Sequence, residues 1–200
     1  MELAKQSKKK SSSVLGKIGG VVGFLIGFAI VGALLHHGSN SPSNSTALTT
    51  STSWRTYTST QDGFSIQFPG NPTPSNSSIS VQGVSVPYDS YERDNNSSYW
   101  AVEVFKYTSQ FDMSDVNARL EGALNGSVEN TKGATLTSSS YTRMAGHTAI
   151  TGLLSVSQSN QTINEYITDF LNGNTMYSFI GSGATQSNFN QFTGSFQFTQ

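Results

Sequence analysis

The chain has 200 residues, a formal net charge of −1 and no cysteine. Without thiols there is no disulfide framework, thiolate metal site, lipidated cysteine anchor or cysteine nucleophile, so stability must come from packing. The near-neutral total conceals an asymmetry: residues 1–17 carry five Lys against Glu2, net +4, whereas residues 54–200 carry six basic and eleven acidic side chains, net −5. A domain so charged lacks the basic footprint of a nucleic-acid binder.

In chain order, a basic tail comes first, with Lys5, Lys8, Lys9, Lys10 and Lys17. The eighteen residues Ile18 to Leu35, "IGGVVGFLIGFAIVGALL", then contain no charge or strong polar group. As a helix they cover about 27 Å, close to the hydrocarbon thickness of a bilayer. A cleaved signal has a shorter apolar region followed by a small-residue cleavage pattern, which "LLHHGSNS" does not offer. A soluble core helix would show a polar face. The segment therefore reads as an uncleaved transmembrane anchor. The next basic residue is Arg55, so the positive-inside bias keeps the N-terminus in the cytoplasm and exports everything after Leu35. The lysines read as a topology signal held near anionic headgroups.

Within the span, Gly19, Gly23 and Gly27 fall four apart, the small-xxx-small spacing that lets two membrane helices approach closely. They are the candidate helix–helix contact of a homodimer. Residues 36–53, "HHGSNSPSNSTALTTSTS", have the composition of a flexible tether with a reach of about 24 Å. Asn-x-Ser/Thr triplets such as Asn44-Ser45-Thr46 arise by chance in so Asn/Ser/Thr-rich a chain and are not read as modified sites.

Residues 54–200 are long enough for one exported domain with its own core. "FSIQF" alternates Phe64, Ile66 and Phe68 against polar Ser65 and Gln67, and "PGNPTP" stops the strand. "VSVPYDSYERD" and "YWAVEVFKY" continue the pattern, with Pro87 placing the first at an edge or bulge and Glu103 opposite the face of Trp100, Val102 and Val104. Ser114 is the expected N-cap and Asp115 a first-turn residue of a helix running to about Asn130, whose Val116, Leu120, Ala123, Leu124 and Val128 need a sheet to cover. "GHTAITGLLSVSQ", "INEYITDFL" and "TMYSFIG" predict a three-stranded antiparallel meander, with Asn172-Gly173 as a type I′ hairpin turn. A short helix at about 185–193 presents Phe189 and Phe192 inward before "SFQF".

The "DGFSIQFPGNP" opening, the long paired strands, the single mid-chain helix, the "YITDFLNGNTMYSFIG" hairpin and the closing "FNQFTGSFQF" together resemble the PsbP-like superfamily. The resemblance covers about 54–200 and its motifs are structural. It implies an α+β fold, an antiparallel β-sheet flanked by helices, and binding or scaffolding in place of catalysis. It carries over no catalytic, cofactor or metal residue.

The residues themselves point the same way. A serine hydrolase needs a base oriented by a third group; His147 is the one histidine of the domain, set in "MAGHTA", and "GSG" at 181–183 is not a nucleophile elbow. An envelope hydrolase built near His147 stands as the rival reading. His36 and His37 are adjacent and share no helix face. Asp89, Glu92 and Asp94 lack an EF-hand pattern and read as a solvated strand end. Tyr88, Tyr91, Tyr99 and Tyr107 either line an exposed patch suited to a peptide or glycan or pack beneath the helix. A pilin-like subunit would carry an acidic residue early in the apolar helix, and here there is none.

The expected protein is thus a single-pass membrane module, N-terminus inside, whose exported domain binds a protein partner in the envelope without a cofactor. If the glycine stripe carries self-association, Gly23→Ile converts a wild-type dimer to a monomer in crosslinking of intact membranes.

Overall fold

A computed structural model describes residues 53–95, 97–158 and 161–199. The expected span at 18–35, with Gly19, Gly23 and Gly27, and the histidine pair lie outside those residues. The described residues form an α+β domain with ten strands in two antiparallel sheets and two helices.

The larger sheet has seven strands in the order β3-β4-β5-β9-β8-β7-β6, comprising β3 (Thr73–Val81), β4 (Val84–Asp94), β5 (Tyr99–Lys106), β6 (Ala134–Met144), β7 (His147–Gln158), β8 (Gln161–Asn172) and β9 (Thr175–Ser182). The expected meander is present as β7-β8-β9. A smaller sheet joins β1 (Arg55–Ser59), β2 (Phe64–Phe68) and β10 (Gln197–Phe198). Helix α1 (Val116–Asn130) packs on β6, β7 and β8. Helix α2 (Gln186–Gly194) and the small sheet lie on the other face.

Three layers follow, so the central strands are covered on both sides. Every residue from Tyr99 to Phe105 is buried, and so is every residue from Glu165 to Leu171. One core beneath α1 gathers Leu120, Leu124, Leu154 and Ile167. The other gathers Phe64, Ile66 and Phe68 of β2 with Trp100, Phe179, Phe189 and Phe192. Its rings meet mostly edge to face, as Phe68 and Phe192 do at 5.0 Å, the arrangement their quadrupoles favour.

Each helix seats a large side chain where the sheet has no Cβ. Leu124 of α1 occupies the space a side chain at Gly152 would need. Phe189 of α2 does the same at Gly181, where a Cβ would stand 2.7 Å from its ring. Both glycines sit inside strands, a weak place for them, and are explained by these close approaches.

Several expectations shift in detail. The N-cap of α1 is Asp115, whose carboxylate accepts from the Ala118 amide at 3.1 Å, while Ser114 donates its own amide to Asp112. The β8–β9 turn is centred on Gly173 and Asn174, because Asn172 already pairs with Thr175. Only Gly173 has positive φ there, the pattern of a II′ turn, whereas Gln82-Gly83 and Ala145-Gly146 carry positive φ at both centres. Pro87 meets its expectation locally: β4 as a whole is interior, but its residues 84–87 pair only with β3, so the strand is an edge at Pro87. Glu103 faces away from Trp100 as expected, but into a second buried layer where it is 3% exposed.

Widening either glycine contact forces a helix off the sheet. Gly181→Val is expected to destabilise the domain by about 1–3 kcal/mol, read from the denaturant midpoint of the purified protein.

Candidate functional site

The chemistry that the sheets bring together lies along the seam where β1 crosses β4. In a strand alternate side chains share a face, so β4 offers Asp89, Tyr91 and Arg93 to the small sheet, and β1 offers Ser59, Tyr57 and Arg55. The turn between β1 and β2 adds Gln61 and Asp62.

Lys106, at the end of β5, reaches both Asp62 at 2.7 Å and Asp89 at 2.5 Å. Gln61 donates its amide to the other oxygen of Asp89 at 2.8 Å. The Tyr91 hydroxyl donates to Asp62 at 2.6 Å and lies 2.6 Å from the Ser59 hydroxyl, which also accepts from the Asp62 amide. Burial alone would lower the Lys106 ammonium, but the two aspartates outweigh it and hold the pKa above the ordinary value. Burial, reinforced by Asp62, pushes the Tyr91 hydroxyl well up, so it stays protonated and donates. A groove of about 330 Å³ opens beside this network, walled by Tyr57, Gln61, Ser75, Asn76, Asp89 and Tyr91.

The arrangement is a set of matched charges bridging two sheets. Its polar atoms meet one another, and the groove adds hydroxyls and amides at its mouth. It suits recognition of a polar ligand and the fixing of the small sheet, whose Tyr57 ring also meets Tyr91 at 5.4 Å.

The sequence-based candidates are distributed differently. Asp89 is 6% exposed and paired to Lys106, not solvated. Glu92, which accepts from Ser90 at 2.6 Å, and Asp94 lie on the opposite face of β4, so strand alternation keeps the three acids from converging on one cation. Among the described residues no group of three or more metal-ligating side chains forms. Tyr88, Tyr91, Tyr99 and Tyr107 are all buried, none more than 8% exposed, and serve the cores instead of an exposed patch. His147 begins β7 instead of lying in the turn, and its ring stacks on Phe170 at 5.5 Å with Phe198 against its edge.

Asp62, Gln61, Ser59 and Lys106 were not singled out from sequence. The one local signal was Asp62-Gly63, a turn dipeptide whose Gly63 has φ +62°.

A second polar set lies beneath the α1 face. Glu103, Asp169 and Glu165 are each at most 4% exposed. Ser178 lies between Glu103 and Asp169 in one cross-strand row, and Ser182 faces Glu165 in another. Burial raises all three: Glu103 to about 8, with neighbouring Glu92, Asp169 and Glu165 adding to it, and Glu165 and Asp169 to about 7, with Ser182 and Ser178 pulling the other way.

No family model matches the sequence, and no curated protein matches it. Among solved structures, the solution structure of cyanobacterial PsbP (CyanoP) from Synechocystis sp. is 18% identical, with 79% of this chain and 99% of that chain covered and a TM-score of 0.49. The crystal structure of a Pseudomonas aeruginosa protein of unknown function, described as a putative regulator, is 8% identical over 68% of this chain and 85% of that one, with a TM-score of 0.36.

The buried acids set a pH dependence. In the unfolded chain they ionise near pH 4, whereas the folded state keeps their protons to about pH 7–8, so it holds more protons throughout that window. Stability is therefore expected to fall as pH rises from 5 to 8. Asp169→Asn is expected to flatten that slope and raise the melting temperature at pH 8, as followed by circular dichroism.

Proposed function

We propose that this protein is a membrane-anchored, non-catalytic binding or accessory module of the cell envelope, with a PsbP-like exported domain. The observation that carries the reading is the seam: Lys106 is matched by two aspartates, and Tyr91 by Asp62 and Ser59, so these groups bind one another and build a surface instead of poising a nucleophile. The stacking of His147 on Phe170 supports the same reading, because the ring packs into the aromatic core. The eighteen-residue apolar segment with lysines on one side supports the anchor and its orientation, with the acidic domain outside.

The PsbP-like assignment rests on where the quoted motifs fall. "DGFSIQF" forms the turn and strand that carry Asp62 and the inner Phe64-Ile66-Phe68 row, and "FNQFTGSFQF" forms α2 and β10 above it. Self-association through Gly19, Gly23 and Gly27 is a second contact of the same module, made within the membrane.

In-cell crosslinking of the full-length protein, followed by mass spectrometry, tests this reading. One recurrent envelope partner, crosslinked through β1, β3 or β4 and without turnover of peptide, ester or glycan substrates by the purified protein, is the expected outcome. Turnover that disappears in His147→Ala would establish the hydrolase instead.

A further inference from the structure

Opposite the aspartate end, the seam closes on two arginines, and we propose that Arg55 and Arg93 form a binding site for the phosphate of an anionic phospholipid headgroup. This rests on the anchored reading above.

Arg93 continues the row of Asp89 and Tyr91 on β4, and Arg55 continues that of Ser59 and Tyr57 on β1. Both line an open groove of about 350 Å³ together with Ser53, Pro69, Gly70 and Asn71. Gly70 has φ +115°, and a Cβ there would lie 2.9 Å from Arg93 Nε. The absent side chain leaves room for the guanidinium beside Gly70. Arg93 Nε is buried with no hydrogen-bond partner among the described residues.

Two like charges across one groove repel, and a fold usually answers them with a carboxylate. Here both ion pairs among the described residues belong to Lys106, at the other end of the seam. A domain with a formal charge of −5 over 54–200 thus leaves Arg55 and Arg93, two of its four arginines, on one groove and without a carboxylate partner among the described residues. Paired guanidinium forks match a tetrahedral oxyanion, which accepts several charge-assisted hydrogen bonds at once. Ser53 and Asn71 add neutral donors at the rim. The source of the phosphate follows from position. The groove opens at Ser53, where the 36–53 linker enters, and that linker's reach of about 24 Å keeps this end of the domain near the headgroups.

The test uses the full-length protein in nanodiscs, with modification of each arginine by phenylglyoxal followed by mass spectrometry. In discs of phosphatidylcholine alone, added inorganic phosphate is expected to slow modification of Arg55 and Arg93 by about tenfold, the effect of one charge-assisted hydrogen bond. Discs containing phosphatidylglycerol are expected to protect both without added phosphate, and exposed Arg143 keeps its rate throughout. Arg55→Gln, at an exposed position, is expected to abolish the protection of Arg93 in both arms.

Protection by phosphate but not by phosphatidylglycerol overturns the headgroup assignment. Protection in neither arm overturns the site itself. Failure of the chain to incorporate into discs would refute the anchored reading instead, and the phosphate arm, run in solution, still decides the site.

Discussion

The structure depends on burying the central strands of a seven-stranded sheet on both faces. Once β5, β8 and β9 lose contact with water on either side, the usual alternation of core and solvent residues cannot hold. Their polar side chains must be accommodated inside. Burial raises the pKa of Glu103, Asp169 and Glu165, because an isolated carboxylate in that layer costs far more than a neutral acid. The same double coverage explains the glycines of β7 and β9: two helices approach so closely that Leu124 and Phe189 each require a missing side chain.

The second consequence is the seam. The small sheet shares the α2 face with that helix, and its strand β1 meets β4 through Ser59, Tyr57 and Tyr91. One strand then displays acid, phenol and guanidinium at successive alternate positions, so the charge along the seam changes sign within a single strand. Lys106 completes the acidic end by reaching in from β5 with its stem against the sheet and its ammonium between two carboxylates. Three elements from distant parts of the chain meet there, which couples the small sheet to the large one by charge as well as by aromatic packing. Because Lys106 is partly exposed, water weakens its pairs, and the network is better seen as fixing geometry than as a large source of stability.

For function, the arrangement divides the domain into a buried interior and a patterned rim. The interior takes most of the aromatic residues, and His147 packs against its edge. The rim retains hydroxyls, amides and an unevenly distributed set of charges, which is the raw material of recognition. On an anchored chain a rim that changes sign would orient the domain, since only the basic end is attracted to an anionic surface.

The sequence by itself determined the parts whose physics is local. The alternation of Phe64, Ile66 and Phe68, the helical spacing of Leu120 and Leu124, the meander of β7 to β9, and α2 with its inward Phe189 and Phe192 were all legible, because each rests on periodicity within one element. The α+β class was what the resemblance carried by these motifs implied. Strands β3 and β6 were not legible: their Ser- and Thr-rich segments, "TPSNSSISV" and "ATLTSSSYTRM", are largely exposed at the two sheet edges and alternate apolar residues only at one end, Ile79 with Val81 and Ala134 with Leu136. Only pairing with β4 and β7 makes them strands. The turn chemistry at Gln82-Gly83 and Ala145-Gly146 was likewise set by the hairpins they close. The seam was decided wholly by tertiary structure, since Asp62, Asp89 and Lys106 become one site only when the small sheet folds across β4 and brings together charges that the sequence holds far apart.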